Sequence, residues 1–280
     1  MSLILQQGDQ LKKYCLVILI VLFLSPIWAC ASELETISFT GEIHDGAKRL
    51  GAESVDLVKT PFQLENGNFL LTMGVMGAVG LTYVFDKDIQ TKLQSKRNNG
   101  LNKAADAGSL AGNPFIHLGL SALVYGGAIA ADSAKWKETG EMMGEAVILA
   151  DASTLVLKEA TGRGRPIATQ DKDDFKPFGF KNNYDSFPSM HTSSSFALAS
   201  VLAATSDSLV LKTAYYAAAT FVGFSRLYKN EHWASDVVFG AALGELCGRV
   251  VTTYHTSGSK VAVIPQAYEG GAGLAVVGRW

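Results

Sequence analysis

The sequence is poor in charged residues and nearly neutral. Aspartate, glutamate, lysine and arginine make up 18% of its 280 residues, and the formal net charge is -2. A nucleic-acid-binding protein needs a basic surface to meet the phosphates, so this composition argues against a nucleic-acid partner. Hydrophobic residues make up 48% of the chain, which predicts that much of it is buried in a protein core or in lipid.

Cysteine is also scarce, with three residues in the chain. Cys15 and Cys30 lie in an N-terminal segment that export would remove, which leaves Cys247 alone. A mature protein with one cysteine has no internal disulfide. Cys247 stands among alanines and glycines, where a lone cysteine is most often a small core residue, and we assign it no function.

The first 31 residues have the pattern of a secretory signal peptide. A Lys-Lys pair at 12–13 precedes the apolar run 15–24, and Ala-Cys-Ala at 29–31 has the small-x-small pattern of a cleavage site. The run is short for an uncleaved membrane anchor, and the bulky Trp28 argues against a lipoprotein attached at Cys30. We therefore predict a signal peptide over 1–31, export to the periplasm and a location in the cell envelope.

The rest of the chain divides into a leader, a helical domain and a short β-structure. Residues 32–68 are weakly periodic and predict an irregular leader with one short helix. Residues 69–256 predict an all-α domain, and 257–280 predict a C-terminal β-hairpin around a Glu-Gly-Gly turn. Six helical segments are predicted in the domain, at about 69–86, 112–131, 138–160, 191–206, 210–228 and 232–254.

The predicted helices are apolar enough for a membrane but near the lower length limit for crossing one. If the signal peptide is cleaved, an odd number of crossings before Lys158 would place the candidate site in the cytoplasm. A compact periplasmic bundle that lies against the membrane avoids this difficulty. We favour that arrangement, and an integral one also fits the sequence.

The first cluster of candidate functional residues lies at the end of the third helical segment. Lys158 and Arg165 enclose a Gly-x-Gly sequence, and Pro166 ends the helix. Two cations on a backbone relaxed by glycine suit a multiply charged oxyanion, and the arginine fork matches phosphate oxygens. Taken alone, the cluster also fits a basic helix end that complements the helix dipole.

The second cluster is Pro188-Ser189-Met190-His191, which marks a helix N-terminus. Free backbone N–H groups and the helix dipole favour a bound anion there, and His191 in the first turn can face the same anion. On its own, the motif equally fits a capping serine followed by a histidine that packs in the core.

The third cluster contains Ser225 and Arg226, followed by His232 and Asp236. Residues four apart share one face of a helix, so Asp236 can meet His232. A carboxylate bonded to one ring nitrogen fixes the tautomer and leaves the other nitrogen free to attack. Arg226 supplies a third cation.

Taken in order, the motifs Lys-x6-Arg-Pro, Pro-Ser-x-His and Ser-Arg-x5-His-x3-Asp resemble those of the type 2 phosphatidic acid phosphatase superfamily. This superfamily includes lipid phosphatases, bacterial class A acid phosphatases and vanadium haloperoxidases. The resemblance covers residues 158–236 and implies an all-α, six-helix bundle of the acid phosphatase/haloperoxidase type. Met190 departs from the pattern, since the family usually has glycine there.

The resemblance implies catalytic roles for three residues. His232 would be the nucleophile that forms a phosphohistidine, and Asp236 would orient it. His191 would be the general acid that protonates the leaving alkoxide.

The resemblance also implies how phosphate is bound. Three cations would contact its oxygens and would do the work that a magnesium ion does elsewhere, so we predict no metal and no cofactor. Groups at the predicted helix N-terminus would add hydrogen bonds. The implied phosphate-binding residues are Lys158, Arg165, Ser189, Met190 and Arg226.

We predict a phosphatase that acts on a phosphomonoester or diphosphate. A membrane lipid is favoured over a small soluble ester because the chain is apolar. The alternatives are a vanadate-dependent haloperoxidase, for which the chain is short, and a structural envelope protein whose site has decayed, which Met190 would favour. Among the remaining histidines, we expect His117 in the core and His44 and His255 at the surface, and the oligomeric state stays open.

Overall fold

The computed structural model describes residues 33–64, 67–179, 181–257, 262–268 and 271–277. This part of the chain contains eight α-helices and two β-strands. The helices are α1 (Glu33–Lys59), α2 (Asn68–Gln94), α3 (Asn99–Ala111), α4 (Pro114–Ala130), α5 (Ala134–Thr161), α6 (Met190–Ala204), α7 (Leu209–Tyr228) and α8 (Ala234–Ser257), and the strands are β1 (Ala262–Tyr268) and β2 (Gly271–Val277).

The chain divides into two compact units, the first ending at Lys48 and the second beginning at Arg49. The described part of the first unit is the N-terminal half of α1. The core and the candidate site belong to the second unit.

The hydrophobic core of the second unit is built mainly from α5, α6 and α8. Val147 of α5, Val201 of α6 and Val251 of α8 are all 0% exposed. Burial of one such side chain contributes about 1.5–3 kcal/mol. Cys247 is buried in the same cluster, which confirms its predicted place in the core.

Glycines on α8 allow this helix to pack closely against α6. A Cβ at Gly244 would lie 2.1 Å from the carbonyl oxygen of Ser193, and one at Gly248 would lie 2.4 Å from Cβ of Ser200. Because these contacts advance in the same direction along both helices, α6 and α8 run parallel. Their N-termini therefore lie side by side, and they carry His191 and His232.

The irregular leader predicted over 32–68 is wrong for most of its length, because α1 is helical up to Lys59. Ala52 and Leu57 on this helix are buried, at 1% and 9% exposure, and Leu57 joins the core cluster. Tertiary packing of this kind stabilises helices that the local sequence pattern does not indicate.

No helix was predicted between the first two helical segments, at 87–111, but this stretch contains the end of α2 and all of α3. Asn98 caps α3 by accepting a hydrogen bond from the backbone N–H of Leu101 at 2.9 Å, which is a common start signal for a helix. The six predicted helical segments correspond to α2 and α4–α8 with shifted ends. The described chain thus has eight helices where six were predicted.

At the C-terminus, β1 and β2 pair in antiparallel fashion, with Ala262 opposite Val277 and Tyr268 opposite Gly271. The turn between the strands lies outside the described residues. The described residues also leave out 258–261 and 278–280 of the hairpin predicted over 257–280, and the signal peptide predicted over 1–31.

Helix α2 is long and apolar enough to cross a membrane, judged by its length and composition. It carries large exposed side chains, among them Leu70, Met73, Leu81 and Val84. Helix α4 is also apolar but is shorter.

Candidate active site

The predicted site residues lie around the end of α5 and the N-termini of α6 and α8. Helix α5 ends at Gly162, which has a φ of 56° and donates its N–H to the carbonyl oxygen of Lys158 at 2.8 Å. A Cβ at this position would lie 2.0 Å from the carbonyl oxygen of Lys176, so the turn requires glycine. The turn leads into the loop that carries Arg165 and Asp185.

Lys158 is buried in the last turn of α5, and its ammonium group donates a hydrogen bond to the carbonyl oxygen of Asp185. The pKa of Lys158 is lowered to about 8, chiefly by burial, with further lowering by Arg165 and Arg226 against the opposing effect of Asp185. The group is therefore cationic at neutral pH, but it loses its charge at a lower pH than an exposed lysine does.

Two carboxylates hold Arg165 in place. Asp185 accepts hydrogen bonds from Nε and Nη2, both at 2.7 Å, and Glu231 accepts one from Nη1. This bidentate pairing fixes the plane of the guanidinium group. Burial alone would raise the pKa of Asp185, but the hydrogen bonds and charge of Arg165 lower it to about 2, so Asp185 stays ionised.

Arg226 reaches the site from the last turn of α7. Its Nη1 donates to the hydroxyl of Ser109 on α3, and its Nη2 lies 3.8 Å from Oε2 of Glu231. The Nε of Arg226 is buried and has no hydrogen-bond partner among the described residues. A buried donor without an acceptor costs about 1–3 kcal/mol, and a bound anion would supply the acceptor.

His232 lies just before α8 and is 3% exposed. Its Nδ1 lies 2.6 Å from the carbonyl oxygen of Ser186. Because a carbonyl oxygen only accepts, Nδ1 carries the proton and Nε2 of the neutral ring is unprotonated. Burial lowers the pKa of His232 well below its usual value, and Lys158, Arg165 and Arg226 lower it further. The ring is therefore neutral at pH 7.

Asp236 does not contact His232 in the way the motif predicted. Its Oδ2 lies 3.7 Å from Nδ1 of His232, which is too far for a hydrogen bond. The same oxygen accepts hydrogen bonds from Oγ of Ser186 at 2.6 Å and from the backbone N–H of Trp233 at 2.8 Å. Asp236 therefore holds Ser186, whose carbonyl oxygen in turn orients His232.

His191 lies in the first turn of α6, near the same cations. The pKa of its ring is lowered to about 3, first by burial and then by the charges of Arg226, Lys158 and Arg165. The same three cations act on both histidines, so the structure brings the three sequence motifs together. In the absence of an anion, His191 is neutral at pH 7.

The side chain and amide of Ser189 are already bonded within the protein. Its N–H donates to the carbonyl oxygen of Asp236 at 3.1 Å, and its Oγ accepts from Thr192 at 2.9 Å. The N–H groups of Met190, His191 and Thr192 precede the first intrahelical bond of α6, which makes them the available donors. Since α6 begins at Met190 with helical backbone, this position does not need the conformational freedom of glycine.

Arg163 is the central residue that the sequence analysis missed. Its Nη1 donates to Oδ1 of Asp236 at 2.6 Å and to Oγ of Ser235 at 2.8 Å, and its Nη2 donates to Oδ2 of Asp86 at 2.7 Å. We call Arg163, Asp86, Ser235 and Asp236 the buried arginine cluster. It connects α2 to the segment that orients His232.

Arg163 and Asp86 are 1% and 0% exposed, so their charges must be satisfied inside the protein. Asp86 also accepts hydrogen bonds from the backbone N–H of Ser235 at 2.8 Å and from its Oγ at 2.6 Å. The guanidinium carbon of Arg163 lies 4.9 Å from the ring centre of Tyr83 and 5.5 Å from that of Trp233. The signal in the sequence was the position of Arg163 within the first motif, two residues before Arg165.

The remaining histidines agree in part with the predictions. His117 is in the core as predicted, where its Nδ1 lies 2.9 Å from Oγ of Ser194 and its Nε2 lies 2.9 Å from the carbonyl oxygen of Ala111. His44 is exposed, also as predicted. The prediction for His255 is wrong, because its side chain is 7% exposed and meets Glu145 where α8 packs on α5.

The region that contains the three motifs is similar to a known protein family. Residues 142–259 match the model of the PAP2 superfamily. This segment belongs to the PAP2 superfamily. The PAP2 segment contains all eight predicted site residues, and the resemblance predicted from the sequence is confirmed.

Relatives of the chain include phosphatases of membrane lipids. The lipid A 1-phosphatase of Porphyromonas gingivalis is 46% identical over 68 residues, which cover 24% of this chain and 15% of that relative. A transmembrane PAP2-type phosphatidylglycerolphosphate phosphatase from Bacillus subtilis has a similar fold, with a TM-score of 0.50 and 20% identity over 71% of this chain and 97% of its own. LpxE of Aquifex aeolicus matches with a TM-score of 0.45 and 23% identity, over 60% of this chain and 94% of its own. The fold match with the Bacillus subtilis structure confirms the predicted all-α class.

Proposed function

We propose that the protein is a phosphatase that hydrolyses a phosphomonoester or diphosphate of a membrane lipid through a phosphohistidine on His232. The observation that carries this proposal is the tautomer and orientation of the His232 ring. Its Nδ1–H is bonded to the carbonyl oxygen of Ser186, so the unprotonated Nε2 is left to attack. Its neutral ring is close enough to Lys158, Arg165 and Arg226 for their charges to act on it.

The first chemical step forms the phosphoenzyme. Lys158, Arg165 and Arg226 bind the non-bridging oxygens and stabilise their charge. Nε2 of His232 attacks phosphorus, the bond from phosphorus to the leaving oxygen breaks, and His191 gives that oxygen a proton. In the second step His191 takes a proton from water, the resulting hydroxide oxygen bonds to phosphorus, and the bond to His232 breaks to release phosphate.

His191 needs a bound substrate to act as an acid. In the free protein its pKa is lowered to about 3 by burial and by three cations. A phosphate dianion among these cations offsets their charge and raises the pKa of His191, so the ring gains its proton where the leaving group needs it. The same cations supply the positive charge of the site, which supports a mechanism that does not depend on a metal.

A lipid substrate is supported by the apolar surface of α2. Leu70 and Leu81 are 75% and 64% exposed, and they belong to a helix of sufficient length to enter a bilayer. Large apolar side chains in such numbers mark a contact surface with lipid or protein. The names of the relatives point to lipid A and phosphatidylglycerolphosphate as substrates of those proteins. We propose a location in the cell envelope, with the site facing the periplasm.

The pH dependence should report the charge of Lys158. Because the pKa of Lys158 is lowered to about 8, it is cationic below that pH and neutral above it. Proton uptake by His191 on substrate binding makes kcat/KM fall with rising pH, and we expect this fall to steepen above about pH 8, since phosphate then meets one cation fewer. Lys158→Arg keeps its charge, so its lower activity should lack this additional downward bend between about pH 7 and 10.

The measurement is kcat/KM against pH on an ester whose phosphate is fully ionised above about pH 7. Lys229→Arg, which changes a half-buried partner of Asp106 outside the site, is the matched control and should keep the wild-type profile. If kcat/KM of Lys158→Arg fell with pH in the same way as that of the wild type, the titration near pH 8 would belong to a group other than Lys158.

The proposed function is tested by phosphate release in the presence of EDTA, on lipid A, a phosphatidic acid and a chromogenic ester. A rapid acid quench destroys phosphohistidine, so the labelled phosphoenzyme is trapped in alkali. We expect metal-independent release, preference for a lipid and an alkali-stable, acid-labile label. Release that requires a divalent metal, or a halide-oxidising activity that requires vanadate, would contradict the proposal, as would an inactive protein on all three substrates.

A further inference from the structure

A second group of ionisable side chains lies away from the active site. Glu53 of α1, Glu145 of α5 and His255 of α8 offer ligand atoms that all lie within 4.8 Å of one another. Glu145 precedes Lys158 by thirteen residues on α5, which corresponds to about 20 Å along the helix axis. The group is therefore separate from the phosphate site.

Glu53 is the residue that needs an explanation. It is 0% exposed, and no hydrogen-bond donor among the described residues contacts either of its carboxylate oxygens. Arg49, one turn earlier on α1, bonds Glu145 and Glu141 instead. A buried carboxylate without a donor or a cation is costly, so the site needs either a proton or a bound cation.

The other two side chains are arranged as metal ligands commonly are. Oε1 of Glu145 accepts a hydrogen bond from Arg49 at 2.8 Å, and its Oε2 lies 2.7 Å from Nε2 of His255. The second nitrogen of His255, Nδ1, lies 3.7 Å from Oε1 of Glu138, which is beyond hydrogen-bond distance. A hydrogen bond behind a metal-bound carboxylate, such as the one from Arg49 to Glu145, is a usual outer contact of such sites.

We propose that Glu53, Glu145 and His255 bind one divalent transition-metal ion, with Zn²⁺ as the preferred ion. Imidazole favours zinc and related metals over magnesium or calcium, and two carboxylates complete a three-ligand set to which water adds the fourth position. The ion would join α1 to α5 and α8. This site is structural and takes no part in phosphate chemistry.

The competing explanation is a proton shared between the carboxyl groups of Glu53 and Glu145. The substitution Glu53→Gln separates the two. Glutamine fills the same space and removes the buried carboxylate, so the variant should fold with a metal-free Tm equal to or above that of the wild type. It cannot supply an anionic ligand, so it should bind zinc at least about tenfold more weakly.

The experiment uses the full chain in detergent, stripped with EDTA and dialysed against buffered Zn²⁺ or Co²⁺. We expect about one ion per chain by elemental analysis, a visible Co²⁺ absorption band and a higher Tm with zinc, since a ligand of the folded state stabilises it. Glu53→Gln and His255→Gln should lose all three signals. His44→Gln, at an exposed histidine, and His232→Ala, in the active site, should keep them.

Two results would overturn the proposal. The first is a wild-type protein that takes up no stoichiometric metal, which would leave the shared proton as the explanation. The second is zinc binding by Glu53→Gln and His255→Gln that is as tight as binding by the wild type, which would place the metal elsewhere. Phosphate release in EDTA is measured separately, so failure of the metal site is distinguishable from failure of the proposed function.

Discussion

His232→Ala is expected to lower the rate of phosphate release by about 10⁴-fold or more and to abolish the labelled phosphoenzyme. The reason is that Nε2 of His232 is the proposed nucleophile, and no other unprotonated group is oriented in the same way by the carbonyl oxygen of Ser186 among the described residues. Steady-state assays of phosphate release and alkaline trapping of the label measure both effects.

The matched control is His44→Ala, since His44 is exposed and lies outside the site. It should keep wild-type turnover. His191→Ala should slow turnover on an alkyl ester more than on an ester with a good leaving group, because a stable leaving group needs no proton. A His232→Ala protein that keeps its label and its turnover would show that the nucleophile is another residue.

Arg163→Ala is expected to destabilise the protein by about 3–5 kcal/mol, because it leaves two buried carboxylates without their cation. Asp86 and Asp236 are both 0% exposed and both accept hydrogen bonds from Arg163. The free energy of unfolding, or a fall in Tm in the same detergent, measures the effect. Activity should also fall, since Asp236 holds Ser186 and thereby His232.

Arg249→Ala is the matched control for this substitution. Arg249 pairs with Glu245, but its side chain is 62% exposed, so the loss should be about 0–1 kcal/mol. Asp86→Asn combined with Arg163→Met should recover part of the stability lost in Arg163→Met alone, because fewer unpaired charges remain buried. Equal losses in Arg163→Ala and Arg249→Ala would mean that the buried arginine cluster contributes little.

The sequence was sufficient to single out the residues that we propose bind phosphate. Lys158, Arg165, Arg226, His191 and His232 stand in three spaced motifs, and the structure brings them within electrostatic reach of one another. Motif spacing works here because each motif begins or ends a helix, and the helix termini determine where its cations and histidines lie.

The contacts behind these residues could not be predicted in the same way. Asp86 meets Ser235 across 149 positions of sequence, and Ser186 meets His232 across 46. Asp236 was assigned to His232 because the two are four residues apart, but the carboxylate bonds Ser186 and Arg163 instead. Pairs that form only through tertiary packing leave no local pattern in a single sequence.

Helices α1 and α3 were not predicted for the same reason. Helix α1 is stabilised through Ala52 and Leu57 in the core, and α3 supplies Ser109 to Arg226. Both segments are polar enough to be interpreted as links when their partners are unknown. His255 was assigned to the surface because nothing near it in sequence indicated that α8 would cover it.

The position of Asp86 has a consequence for the evolution of the protein and for its dissection. The segment that matches the PAP2 superfamily model begins at residue 142, whereas Asp86, one of the two acids bonded to Arg163, comes from α2, well before it. The matched segment therefore does not contain all the contacts on which its buried arginine depends. A fragment cut at this boundary would retain every motif residue, with Asp236 among them, but would lack Asp86, and across homologues changes at position 163 should be accompanied by changes at position 86.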